Sequence, residues 1–202
     1  MVSHQVENSS IAQVLSDPSD PRVFLLSLVR DYKGFDADEE ASRVRFLSLL
    51  TNYPKCFENT CNEGHITGSG LVVNSELTKV LLMHHARLGI WLQFGGHSDG
   101  HVNPFATALR EVMEESGLKN LTFHPRVPYI FDLDVHPIPK DSTLDVPHDH
   151  YDIRSLFIAD PAESVVINRE SHDIKWIPFE DLPKYNNERP LARMLEKVKA
   201  LI

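Results

Sequence analysis

The sequence has little of what would take it out of the ordinary globular class. Its 202 residues include only two cysteines, Cys56 and Cys61, too few for a disulfide framework. No apolar run approaches the roughly 18 residues of a membrane span, and no basic segment followed by an apolar stretch opens the chain. The cytoplasm is therefore the expected compartment. Positive charge is scarce: 20 Lys and Arg stand against 29 Asp and Glu, a formal net charge of -9. That balance argues against nucleic acid as a general partner, because counterion release needs clustered cations. It does not exclude a small nucleotide, since a bound divalent metal inverts the local sign. Internal repeats and low-complexity segments are missing as well. What remains is 42% hydrophobic and 24% charged, enough for one domain with a modest extension.

The informative stretch lies at residues 96–118. It holds Gly96, Arg110-Glu111, Glu114-Glu115 and Gly117-Leu118. Glu111, Glu114 and Glu115 fall at i, i+3 and i+4, so on a helix they share one face within a turn. Three anions so close repel one another unless a cation sits among them. Oxygen ligands in that arrangement suit Mg²⁺ or Mn²⁺, hard ions held by a few carboxylates together with substrate phosphates. A solvated acidic face is the plainer alternative. It does not account for glycines and an arginine at matched spacings.

This stretch resembles the signature of Nudix hydrolases: Gly, five residues, Glu, seven residues, Arg-Glu-aliphatic-any-Glu-Glu-any-Gly-aliphatic. One element departs, because Val102 stands where the pattern has its first Glu. In the family that Glu usually pairs with the Arg, so Arg110 needs another partner or leans on Glu114 or solvent. The resemblance implies an α/β fold, a Nudix-type α/β/α sandwich with a mixed β-sheet. It further implies that Gly96, Glu111, Glu114 and Glu115 hold metal, with Arg110 in support. Residues 61–202 should form the Nudix hydrolase domain, with 1–60 an N-terminal helical extension docked on it.

The surrounding pattern agrees with that order. Strand-like runs cover Ile66–Val73, Lys79–His84, Asp152–Ala159 and Asp173–Pro178, and a closing helix is expected over Pro190–Ile202. In the extension, Asp20 is a candidate N-cap with Pro21 first in the helix. A second helix over Asp36–Leu50 should turn Ala41, Val44, Phe46, Leu47 and Leu50 inward. Residues 1–8 read as disordered, and Pro137–Pro147 as a surface loop near the cleft. Gly117 is the expected left-handed residue ending the acidic helix.

Eleven histidines are many for this length. His65 opens a strand, His97 follows Gly96, His136 precedes a proline, and His148 and His150 alternate, so on a strand they share a face. Imidazoles suit zinc, iron, manganese or nickel more than magnesium, making His65, His97, His148 and His150 a candidate second metal set. Isopentenyl-diphosphate isomerase, a Nudix relative, has metal-binding histidines corresponding to His65 and His97. Gly95 stands where that enzyme carries its catalytic Cys, so isomerase activity is not expected. His101 and His124 read as surface residues, and Cys56 and Cys61 as two buried thiols.

For substrate, Arg87 and Arg154 could grip phosphate, and Phe94 and Tyr151 could flank a ring; pairing of Arg154 with Asp152 is the structural alternative. The function expected is metal-dependent cleavage of a phosphoanhydride in a nucleoside diphosphate linked to another moiety. The alternative is a nucleotide-binding sensor or scaffold of the same fold without turnover, which Val102 favours and the intact glutamates disfavour. Family relatives are frequently dimers, so a homodimer is consistent with the resemblance.

Overall fold

The computed structural model describes Val14 and residues 16–127, 129–138 and 147–202. The expected disorder of residues 1–8, and most of the expected loop at 137–147, lie outside them. The elements run α1 (Val23–Asp31), α2 (Ala37–Asn52), β1 (His65–Val73), β2 (Lys79–His85), β3 (Trp91–Leu92), β4 (Phe94–His97), α3 (Pro104–Ser116), β5 (Thr122–Phe123), β6 (Asp132–Ile138), β7 (His148–Ile158), β8 (Ser171–Pro178), a 3₁₀ turn and α4 (Arg189–Lys199). Strand order is β3-β2-β1-β7-β5, with β4 on β1, β6 on β7 and β8 on β2. Among the described residues no helix is long and apolar enough to cross a membrane.

The chain divides into two compact units interleaved in sequence. The unit holding Gly68–Gly96, Phe105–Asp132 and Ile153–Ile202 is the layered one. Side chains alternate along its strands, and the alternation sorts them into two cores. Leu71, Val73, Val80, Leu82, Leu156 and Ile177 pack with Leu191, Met194 and Val198 of α4. Val72, Leu81, Met83, Phe157 and Ile174 pack with Ala108 and Val112 of α3. One helix therefore covers each face, the α/β/α sandwich expected, and strands covered on both faces read as continuous apolar runs.

A charged knot ties α4 to this sheet. Asp132, fully buried, accepts hydrogen bonds from Arg193 Nε and Nη2, both at 2.8 Å. Arg154 Nη1 lies at 3.1 Å and Lys197 Nζ at 3.0 Å. Burial alone would raise the Asp132 pKa, but Arg193, Arg154 and Lys197 outweigh it and hold the group below the usual carboxylate range.

The other unit contains the described residues up to Thr67, with His97–Pro104 and the described part of Leu133–Asp152. Here α1 begins at Val23, not at Pro21; ahead of it the Asp20 carboxylate accepts from the Arg22 backbone and guanidinium. The same guanidinium donates to Leu50 O at 3.0 Å and Thr51 O at 3.1 Å, satisfying carbonyls in the last turn of α2. Asp36, expected inside this helix, instead caps it by accepting from Glu39 N.

The inward face of α2 differs from expectation. Phe46, Leu49 and Leu50 are buried together with Glu39 and Ser42. Ala41 and Val44 face solvent and Leu47 is half-buried. The reason is Glu39, whose carboxylate accepts from Tyr32 Oη (2.6 Å), Phe35 N (2.6 Å) and Leu133 N (3.0 Å). Phe46 packs edge-on against Tyr151, and Arg45 pairs with Asp149 at 2.6 Å.

Candidate active site

The acidic residues lie where helical spacing puts them, on α3. Gly117 ends the helix at φ +75°, and its N–H donates to Met113 O at 2.9 Å. Val166 N donates to Ser116 O at 2.7 Å, holding the next loop against that end. Ala108, Val112 and Leu118 anchor the helix in the apolar core.

Glu115 is buried, and its Oε2 accepts from Gly95 N at 2.9 Å. Glu111 is nearly buried and packs against Gly96 so closely that a Cβ there would overlap its carboxylate. This is the physical reason for a glycine at 96. Arg110, which lacks the usual acidic partner because position 102 is Val, pairs with Glu111 Oε1 at 2.7 Å and Glu114 Oε2 at 3.1 Å. Val102 itself is exposed. The guanidinium thus takes its partners from the helix it sits on.

Glu170, in the loop before β8, comes close enough to Glu115 to oppose its ionisation. No spacing in the sequence marks this residue; the fold brings it to the carboxylate helix. Burial first, then Glu111 and Glu170, push Glu115 up to about 8, against the pull of the Gly95 N–H. Burial also raises Glu111, which Arg110 opposes. Crowded, desolvated carboxylates of this kind need more positive charge than Arg110 supplies. They can take it from protons or from a cation.

Replacing Gly96 by Ala should leave the fold intact and move the Glu111 carboxylate. Misplacement of about 1 Å costs on the order of 10²-fold in rate, to be read as kcat beside an unchanged circular dichroism spectrum.

The candidate substrate residues are not gathered in this way. Arg87 is exposed on the turn after β2. Phe94 is fully buried in the core against α3 and has no open ring face. Arg154 is buried on Asp132, not on Asp152, which instead accepts from the Thr67 hydroxyl at 3.1 Å. Tyr151 is buried against Phe46, with Arg45 over its ring. Phe94 and Arg154 are therefore corrected to packing and ion-pair positions.

The histidines form a second cluster, in the unit that contains α1 and α2. His65 is 1% exposed and ringed by His97, His148 and His150, with centroids 4.8–5.1 Å away. His97 Nε2 and His150 Nε2 are 3.2 Å apart. Burial first, then neighbouring imidazoles, push His65 down to about 4 and His150 to about 2. His136, which was not in the candidate set, also reaches His150, at 5.6 Å between centroids. His101 is exposed as expected, whereas His124 is buried. Cys56 and Cys61 are free and buried.

A family model described as NUDIX domain matches residues 64–198, about two thirds of the chain. The chain belongs to the NUDIX family. A C. elegans Ap4A hydrolase, solved as a binary complex, is similar at 18% identity over 67% of this chain and 96% of that one, with a TM-score of 0.53. A NUDIX family hydrolase from Clostridium perfringens is 24% identical over 68% and 98%, at a TM-score of 0.49. The NUDIX domain of Shewanella oneidensis NrtR, solved with ADP ribose, is 18% identical over 76% and 96%, at a TM-score of 0.46. The likeness to the C. elegans protein concerns the fold. No curated protein sequence matches the chain.

Proposed function

We propose that this Nudix protein is a divalent-metal-dependent hydrolase that cleaves a phosphoanhydride bond in a nucleoside diphosphate linked to another moiety. The observation that carries the reading is the convergence of Glu111, Glu114 and Glu115 on one helical turn. Gly95 and Gly96 lie against two of them, and Glu170 joins from a later loop. The donor set fits Mg²⁺ or Mn²⁺: it is all oxygen, partly desolvated and short of positive charge. Glu111, Glu114, Glu115 and the Gly96 carbonyl would hold the metal. When bound, it supplies charge neutralisation to the diphosphate and acidifies a water molecule.

The chain's own residues supply the rest. Arg110 holds Glu111 and Glu114 in register through its two ion pairs. The Gly95 N–H fixes the Glu115 carboxylate. Glu170, near enough to Glu115 to oppose its ionisation, is the candidate proton acceptor for the attacking water, at an oxygen outside the helix. Arg87, exposed beside β2, is the remaining candidate for phosphate contact. In this reading residues 61–202 are the hydrolase domain and 1–60 an extension docked on it, the contacts of Glu39, Arg45 and Phe46 supporting the docking.

The test is a panel of nucleoside diphosphate derivatives, Ap4A (named for the C. elegans relative) among them, incubated with Mg²⁺ or Mn²⁺. Turnover of at least one member that stops on chelation is expected. Binding of panel members without turnover would instead identify a nucleotide sensor.

A further inference from the structure

We propose that His65, His97, His148 and His150, with His136 at their edge, bind one late first-row divalent transition ion that clamps three separate chain segments together. The site is distinct in ligand chemistry from the carboxylate helix, and the hydrolase reading does not depend on it.

The argument starts from His65. Among the described residues neither of its ring nitrogens has a hydrogen-bond partner, although the side chain is almost fully buried. Buried polar groups in native proteins are nearly always satisfied, so an imidazole with both nitrogens unmet calls for a missing ligand. One nitrogen from each of His65, His148 and His150 lies within 4.8 Å of the other two. The approach of His97 Nε2 to His150 Nε2, 3.2 Å, is tighter. Metal–nitrogen bonds of about 2.0–2.1 Å at tetrahedral angles place ligand atoms about 3.4 Å apart. The His97–His150 approach is thus that of two ligands on one ion, and the three-histidine set, within 4.8 Å, draws inward on loading.

The backbone explains why these rings converge. His148 and His150 alternate on β7 and so share a face, His65 begins β1, and His97 ends β4. His136 Nδ1 lies 3.1 Å from the Asp134 carboxylate. That pairing fixes the ring and leaves Nε2 for a ligand role, as in metal sites where a carboxylate orients a ligating histidine. An all-imidazole set selects against Mg²⁺, which prefers oxygen, and favours Zn²⁺, Co²⁺ or Ni²⁺. An ion held here joins the start of β1, the end of β4 and β7, which are far apart in sequence. Closing such long loops stabilises the folded chain.

The experiment uses full-length protein without a histidine tag, dialysed with Co²⁺ or Zn²⁺ against excess Mg²⁺. Expected are about one equivalent of retained metal, visible Co²⁺ ligand-field bands of nitrogen-ligated tetrahedral or five-coordinate type, and a Tm raised by at least about 4 °C. His65→Gln and His150→Gln should lose the bands and the Tm rise, while Glu115→Gln keeps both. The wild-type titration stands alone if either histidine variant misfolds. Less than about a tenth of an equivalent of metal with no movement of Tm would overturn the proposal. So would bands that disappear in Glu115→Gln yet persist in the histidine variants.

Discussion

Glu115→Gln should lower kcat for the preferred substrate by about 10²–10⁴-fold, the range associated with losing a positioned acid–base or metal-holding carboxylate. The substitution suits the test because the Gln carbonyl oxygen can still accept from Gly95 N, which now bonds Glu115 Oε2 at 2.9 Å. It also removes a buried carboxyl whose ionisation is opposed by burial and by Glu111 and Glu170. The metal-free variant should therefore melt at or above the wild-type temperature while it loses activity. Stability and function would move in opposite directions, as when a site holds strain for its chemistry. A variant that loses both together would point to a packing role. One that keeps its rate would remove Glu115 from the site.

Asp132→Ala should be the most damaging single change to the fold. It deletes the anion that Arg193, Arg154 and Lys197 share and leaves their charges buried without it. Breaking a buried ion pair from one side costs about 3–5 kcal/mol, a large part of the roughly 5–15 kcal/mol that holds a typical domain folded. Urea unfolding should show the loss as a lower midpoint at unchanged slope. A change below about 1 kcal/mol would contradict this account of the knot.

The same group sets the direction of acid sensitivity. Because its folded pKa is depressed, Asp132 contributes stability that is complete above the ordinary Asp pKa of 3.8. That stability drains away as the pH falls below 3.8 towards the folded value. Wild-type Tm measured down through that range should drop more steeply than that of Asp132→Asn, which has no such proton to take up.

Much of this was legible along the chain because it is local. Box spacing places Glu111, Glu114 and Glu115 on one turn whatever the tertiary structure does. Alternation and runs of apolar residues mark β1, β2 and β8, since a strand covered on both faces has little other option. Gly117 follows from the need for a left-handed residue at a helix end. The misreadings arise where pairing is non-local. Arg154 has Asp152 two positions away, yet it finds Asp132 across the fold. Periodicity turned Ala41 and Val44 inward on α2, because a buried carboxylate such as Glu39, satisfied by three donors, looks like a surface residue in sequence. Phe94 looks like a cleft aromatic and lies in the core. Glu170 carries no motif at all; only the fold brings it to Glu115.

The central claim is that water cleaves a phosphoanhydride bond at the carboxylate helix. Its most direct test is turnover of the best panel substrate in ¹⁸O-labelled water with Mg²⁺ or Mn²⁺, the products read by mass spectrometry and phosphorus NMR. A single ¹⁸O on a phosphate of one product, absent with Glu115→Gln or after chelation, is the predicted result. Turnover that leaves the phosphates unlabelled, or no turnover of any panel member, would contradict the account.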